Sequence, residues 1–263
     1  MNPLAADLYT AVCAHDLLAG DYRDISSAKA LLESIIDTLG EVTSDRHQVV
    51  AISLPTSQAF HAAVIALWCS GRLGTPIGTR TTTREVQRSL TKTKPMWVIR
   101  ASDDARFAEQ EQQTILLPHY QPKIAMGRTN IGEAHSFIGP DDAWMATTSG
   151  STGEPKFAVL TYANLRHNAE AVAGIQNLTS EDSVMAFTPS NFAYALNQLT
   201  TTLLAGARLY SWSHGLTAPA DLLHAMAATS TSVFSANPTA FEMLLQAGQG
   251  SKLSSVRQTR FRE

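Results

Sequence analysis

The chain has 263 residues, enough for one large domain or two smaller lobes. Hydrophobic residues make up 44% and charged residues 16%, a globular composition that excludes a disordered chain. A formal net charge of −3 argues against broad electrostatic binding to nucleic acid or anionic membrane, and no apolar run reaches the ~18–20 residues needed to span a bilayer.

From Met1 to Tyr9 there is no basic n-region, so no signal peptide is expected. Strand-like and helix-like stretches then alternate. His47 to Leu54 reads as a buried strand and Ser57 to Leu73 as a helix. Within that helix Cys69 reads as a small core residue. Its thiol and that of Cys13 fit no disulfide or metal pattern, which points to a reduced, cytoplasmic setting. A strand is expected at Thr75–Thr79, a helix at Thr83–Thr93, a strand at Met96–Arg100, a helix at Asp103–Gln113 and a strand at Thr114–Leu117. Residues 118–140, rich in Pro, Gly and polar side chains, read as a connection.

The rhythm resumes with strands at Asp142–Thr148 and Lys156–Thr161 and a helix at Ala163–Gln176. A strand at Ser183–Thr188 leads to a helix at Phe192–Ala205 that Gly206 caps. A strand at Arg208–Trp212, a helix at Ala218–Ala228, a strand at Ser232–Ala236 and a helix from Pro238 to Ala247 complete the series. The expected class is α/β, with parallel-rich sheets flanked by helices. The expected organisation is a first βα lobe at about 20–117, a second lobe at 141–250 and a frayed tail at 251–263. Arg257, Arg260 and Arg262 give that tail a small basic character.

The most informative stretch is Thr148-Ser149-Gly150-Ser151-Thr152-Gly153-Glu154-Pro155-Lys156. Gly150 and Gly153 allow close backbone approach, and the hydroxyls and loop amides offer donors. Lys156 adds a point charge suited to phosphoryl oxygens. The spacing is not that of a Walker loop, which places its lysine directly at a helix start. The β-prone Phe157, Val159 and Leu160 just after it make this loop the connection of a hairpin.

These nine residues resemble the phosphate-loop signature of the AMP-forming adenylating enzymes, which include acyl-CoA synthetases and the adenylation domains of peptide synthetases. The resemblance extends over residues 20–256. Asp21 to Leu39 is similar to the family's opening helix, and Asp45 to Ser57, Ala66 to Pro76 and Leu160 to Leu165 to its later segments. Pro189 to Ala207 and Val233 to Leu245 fit the same pattern. Phe157 stands where the family has glycine. Phe192 stands where many acyl-CoA synthetases have a histidine by the acyl pocket, and Ala195 replaces a common glycine.

The resemblance implies the incomplete N-terminal domain of an ATP-dependent ligase. Such an enzyme activates a carboxylic acid as acyl-AMP and passes it to a thiol on CoA or a carrier protein. It implies ATP and Mg²⁺ as cofactors, with Thr148, Ser149, Gly150, Ser151, Thr152, Gly153 and Lys156 on the nucleotide and Phe192 and Tyr194 at the substrate pocket. No residue takes the catalytic or metal role that the family assigns to later segments. The chain alone is therefore expected to adenylate nothing at a useful rate. The alternatives are a non-catalytic nucleotide- or partner-binding remnant, or one half of a split enzyme completed by a second chain or an oligomer. His15, His47, His61, His119, His135, His167 and His214 read as surface or capping residues and His224 as a helix-face residue, with no metal spacing among them.

Overall fold

The computed structural model describes residues 1–20, 27–42, 48–118, 123–133, 135, 138–148, 156–247, 256 and 258–260. The chain opens with α1 (Pro3–Cys13), capped by the Asn2 side chain, which accepts from the Leu4 N–H, and started by a proline. It continues through β1 (Leu18–Ala19), α2 (Ala28–Val42), β2 (Val49–Ser53) and α3 (Gln58–Cys69). Next come β3 (Leu73–Pro76), α4 (Thr83–Thr93), β4 (Trp97–Ala101), β5 (Glu111–Leu117) and β6 (Ile124–Thr129). The strands β7 (Asp142–Thr148) and β8 (Lys156–Thr161) precede α5 (Tyr162–Gln176). The remainder is β9 (Ser183–Ala186), α6 (Ala193–Leu204), β10 (Arg208–Ser211), α7 (Pro219–Ala228), β11 (Val233–Ser235), α8 (Pro238–Gln246) and β12 (Gln258–Arg260).

Among the described residues these strands form two sheets. The first has the order β5-β6-β4-β2-β3-β7-β8 and the second β1-β10-β9-β11-β12. The second is parallel throughout. In the first, β4, β2, β3 and β7 run parallel, while β6 and β8 pair antiparallel with their neighbours. The class is therefore α/β with parallel-rich sheets, as expected. The sheets do not separate at residues 118–140: the β7–β8 hairpin completes the first sheet, and the N-terminal β1 joins the second.

Helix α3 explains how the sheets are joined. Every one of its residues from Gln58 to Trp68 is buried, the mark of a helix enclosed on all sides. On one side the Trp68 indole donates to the Ala143 carbonyl of β7 at 2.9 Å. On the other, Gln58 donates to the Leu18 carbonyl of β1 at 3.2 Å and His61 Nδ1 lies 2.9 Å from Ser211 Oγ on β10. One apolar cluster accordingly contains Val50, Ile52 and Trp144 of the first sheet with Val184, Leu209 and Val233 of the second.

Four expectations need correction. The helix expected at Asp103–Gln113 is a single 3-10 turn at Ala105–Phe107, after which β5 begins at Glu111. Arg106 holds this turn by reaching to Asp104, Gly78, Thr81 and Ser53, so tertiary bonds override a helical pattern. The connection at 118–140 contains β6, central between β4 and β5. The tail is not frayed throughout, because Gln258–Arg260 pairs in parallel with β11. His61 and His135 are buried rather than at the surface, with His135 Nε2 3.0 Å from the Thr93 carbonyl.

Candidate functional site

The parallel strands of both sheets set the site, because ligands of α/β sheets bind beyond the carboxyl ends of strands where the chain diverges. A cavity of about 900 Å³ lies there. Its walls come from the segments leaving β2 (Pro55, Thr56) and β3 (Gly78 to Thr81) in the first sheet. The second sheet contributes the segments leaving β9 (Phe187 to Phe192), β10 (Trp212 to Leu216) and β11 (Ala236, Asn237). Helix α5 adds Val172 and Ile175, and the first turns of α6 add Tyr194 and Asn197.

The loops are tied to one another. Thr56 Oγ1 donates to the Thr188 carbonyl, and Ser190 Oγ donates to the Leu54 carbonyl at 2.6 Å. These two bonds join the exit of β2 to the exit of β9 and make one floor from two sheets. The turn after β3 is closed by Thr81 Oγ1, which donates to the Gly78 carbonyl at 2.7 Å. Behind it, Arg106 donates to Gly78 O at 2.9 Å, Thr81 O at 3.1 Å and Ser53 Oγ at 3.0 Å, and pairs with Asp104 at 2.5 Å. Burial pushes the Asp104 carboxyl upward, but the Arg106 hydrogen bonds outweigh it and hold the carboxyl below its usual range. On the far wall the Trp212 indole donates to Gly215 O at 2.8 Å. Gly215 has φ +59°, the left-handed region that glycine tolerates best.

Both residues expected at a substrate pocket line this cavity. Phe192, 56% exposed, is the residue before α6, and Tyr194 sits in that helix's first turn. The residues expected on nucleotide phosphate sit differently. Thr148 ends β7 and Lys156 begins β8, directly opposite one another across an antiparallel pair. The hairpin expected from the sequence is therefore present, and Lys156 is exposed at its mouth. Ser149, Gly150, Ser151, Thr152 and Gly153 lie outside the described residues. Strand β7 is the parallel neighbour of β3, with Gly74 level with Trp144. The hairpin loop and the Arg80 turn thus leave the same end of adjacent strands, ~4.8 Å apart.

Phe157, where the resemblance has glycine, has a packing role. It is half-buried against Val49, Leu73, Ile138 and Met145 and anchors the start of β8 beside Lys156. Thr161 and Asn164 form a reciprocal cap on α5, with Thr161 Oγ accepting from Asn164 N at 3.2 Å and Asn164 Oδ1 from Thr161 N at 3.1 Å. Sequence reasoning missed Arg80, Trp212 and Asn237 as wall residues. The signal available was their position, each one to four residues beyond a parallel strand.

Among the described residues no carboxylate lines the cavity, and no cluster of three His, Cys, Asp or Glu could hold a metal. That donor set does not fit a protein-held Mg²⁺, which requires oxygen ligands that normally include a carboxylate.

The chain was compared with known proteins. A family model described as AMP-binding enzyme matches residues 34–261. Among curated proteins, a nonribosomal peptide synthetase, vlms, of Lecanicillium sp is 26% identical over 223 residues, covering 75% of this chain and 2% of that protein. A hybrid PKS-NRPS synthetase, pvhA, of Talaromyces variabilis is 32% identical over 138 residues, covering 51% of this chain and 3% of that protein. The chain thus spans a small fraction of these relatives' length. Among solved structures, o-succinylbenzoate CoA synthetase (MenE) from Bacillus subtilis, in complex with its acyl-adenylate intermediate, superposes with a TM-score of 0.79 at 19% identity. That match covers 100% of this chain and 68% of that one. The N-terminal domain of FACL13 from Mycobacterium tuberculosis gives 0.77 at 18% identity, covering 98% and 69%. With a family model matched over most of its length, the chain belongs to the AMP-binding enzyme family.

Proposed function

We propose that this chain supplies the phosphate-binding loop and the acid pocket of an ATP-dependent, adenylate-forming ligase. The observation that carries the reading is the hairpin that sets Thr148 opposite Lys156, one strand away from a turn lining the cavity between the sheets. Nucleotide phosphates and a carboxylic acid can then meet at the carboxyl ends of β3 and β7. In the first step a carboxylate oxygen bonds to the α-phosphorus of ATP and the bond to the bridging oxygen of the β-phosphate breaks. Acyl-AMP forms and pyrophosphate leaves. A thiolate then bonds to the acyl carbon and AMP departs.

The protein's part in the first step is alignment and charge. Lys156 and the donors of residues 148–153 stabilise the negative charge that grows on the leaving pyrophosphate. The joined loops of β2 and β9 fix the pocket that orients the acid. The likeness to peptide synthetases supports a carrier-protein thiol as the acceptor, and the likeness to a CoA synthetase supports CoA as the alternative.

A panel of acyl-adenylate mimics, with a sulfamoyl group in place of the phosphoryl, tests this without requiring turnover. At least one member should bind the full chain in calorimetry and raise its melting temperature. Failure of every acyl class, aromatic, aliphatic and aminoacyl, would remove the reading.

A further inference from the structure

The described lining of the cavity contains one charged side chain, Arg80. It is exposed on the turn after β3, and among the described residues no hydrogen bond or ion pair engages it. The turn that carries it is built to hold still. Arg106 binds the carbonyls of Gly78 and Thr81, the residues flanking Thr79 and Arg80, and is itself fixed by Asp104. A Cβ on Gly78 would come to 3.0 Å from Thr81 Cγ2, so the turn is also tightly closed. Arg106 thus braces the backbone of the turn through Nη1, and Arg80 presents its donors to the cavity.

The surroundings of Arg80 limit what it can recognise. Its Nη2 lies 3.7 Å from where a Cβ on Gly215 would stand, so the side chain crosses from the first sheet to the loop after β10. Val172, Ile175, Phe187, Trp212 and Leu216 give that space a mostly apolar surface, with hydroxyls and amides such as Ser190 and Asn191 between them. A guanidinium at the rim of an apolar slot matches an amphipathic organic anion, whose planar carboxylate takes two parallel N–H bonds. Polyphosphate is a poorer match, because the described lining offers one cation against several negative charges. Lys156, the cation of the hairpin loop, is not among the cavity's lining residues.

We infer that Arg80 seats the carboxylate of the organic acid, with the acid's apolar body against Phe187 and Trp212. Arg80 is then the residue that selects acids over neutral isosteres. This rests on the adenylation reading for the ligand's place in a reaction, but the binding itself needs no nucleotide.

Trp212 is the cavity's tryptophan and reports occupancy. The full chain, without nucleotide, is titrated with octanoate and octanamide, with phenylacetate and phenylacetamide, and with inorganic pyrophosphate. Tryptophan emission and calorimetry track the binding. At least one acid should bind about 10-fold or more tightly than its amide, the scale of a hydrogen bond to a charged group. Arg80→Gln should erase that preference at an unchanged melting temperature, and Arg80→Lys should keep part of it. Equal binding of acid and amide by the wild type, an acid preference that survives Arg80→Gln, or no saturable acid binding overturns the assignment. Loss of pyrophosphate binding alone in Arg80→Gln gives the residue to the phosphates and also overturns it. Failure of the adenylate mimics with an intact acid-over-amide preference would sink the ligase reading and leave Arg80's role standing.

Discussion

His61 lies wholly inside the layer between the sheets, with one ring nitrogen on Ser211 and Nε2 buried without a partner among the described residues. Burial pushes its pKa down to about 3. The unfolded chain binds a proton at about 6.5, so between those values the unfolded state holds the extra proton. His61 thus contributes stability that is present above about pH 6.5 and is lost as pH falls toward the folded value, by up to ~1.4 kcal/mol per pH unit. Melting temperatures measured from pH 7 to pH 4 should fall less steeply in His61→Gln than in the wild type; parallel slopes would contradict this. Gly74 makes a second residue-scale case. A Cβ there would overlap the buried Trp144 ring, so Gly74→Ala should cost about 1–3 kcal/mol in urea unfolding. Neither feature was legible in the sequence. Both residues are conformationally ordinary, and only the approach of a second element gives them their roles.

Strands β5 and β6 show the same lesson for elements. Arg100 on β4 and Glu111 on β5 form a bidentate pair at 2.6 and 2.5 Å, with side chains only 7% and 5% exposed. The strand between them is β6, and its Gly127 leaves the space that the Glu111 carboxyl fills. Removing one partner of a buried pair strands the other charge, so Glu111→Ala should cost about 3–5 kcal/mol. The double variant Arg100→Met, Glu111→Leu should recover much of that loss. Equal destabilisation by the single and double variants in chemical denaturation would show that the pair's charge is not the issue. Helices with caps and strands with continuous apolar runs were readable: α4 matches its expected Thr83–Thr93, and β7 and β8 match theirs. Strand β6 was not, because its short apolar run ends at Gly127 and Pro, Gly and polar residues surround it. The turn at Ala105–Phe107 was misread because bonds from Arg106 to residues far back in the chain decide it.

At the scale of the molecule, the two sheets share one core through α3, α1 and α6, which no local pattern announces. Unfolding should therefore be one cooperative transition, with tryptophan emission and far-UV circular dichroism melting together. Two separated transitions would mean that the sheets are independent units. The shared core also fixes the cavity, since its floor is made of loops from both sheets bonded to each other. The Thr148–Lys156 hairpin was legible from composition and order alone. The cavity was legible only through Phe192 and Tyr194, because its other walls come mainly from five separate strand exits. The central claim is that the Thr148–Lys156 hairpin holds nucleotide phosphate. Calorimetric titration of the full chain with ATP and Mg²⁺ tests it most directly. The wild type should bind saturably and Lys156→Ala about 10-fold or more weakly, the scale of one charge-assisted contact. No ATP binding by the wild type, or equal affinity in the variant, would contradict the account.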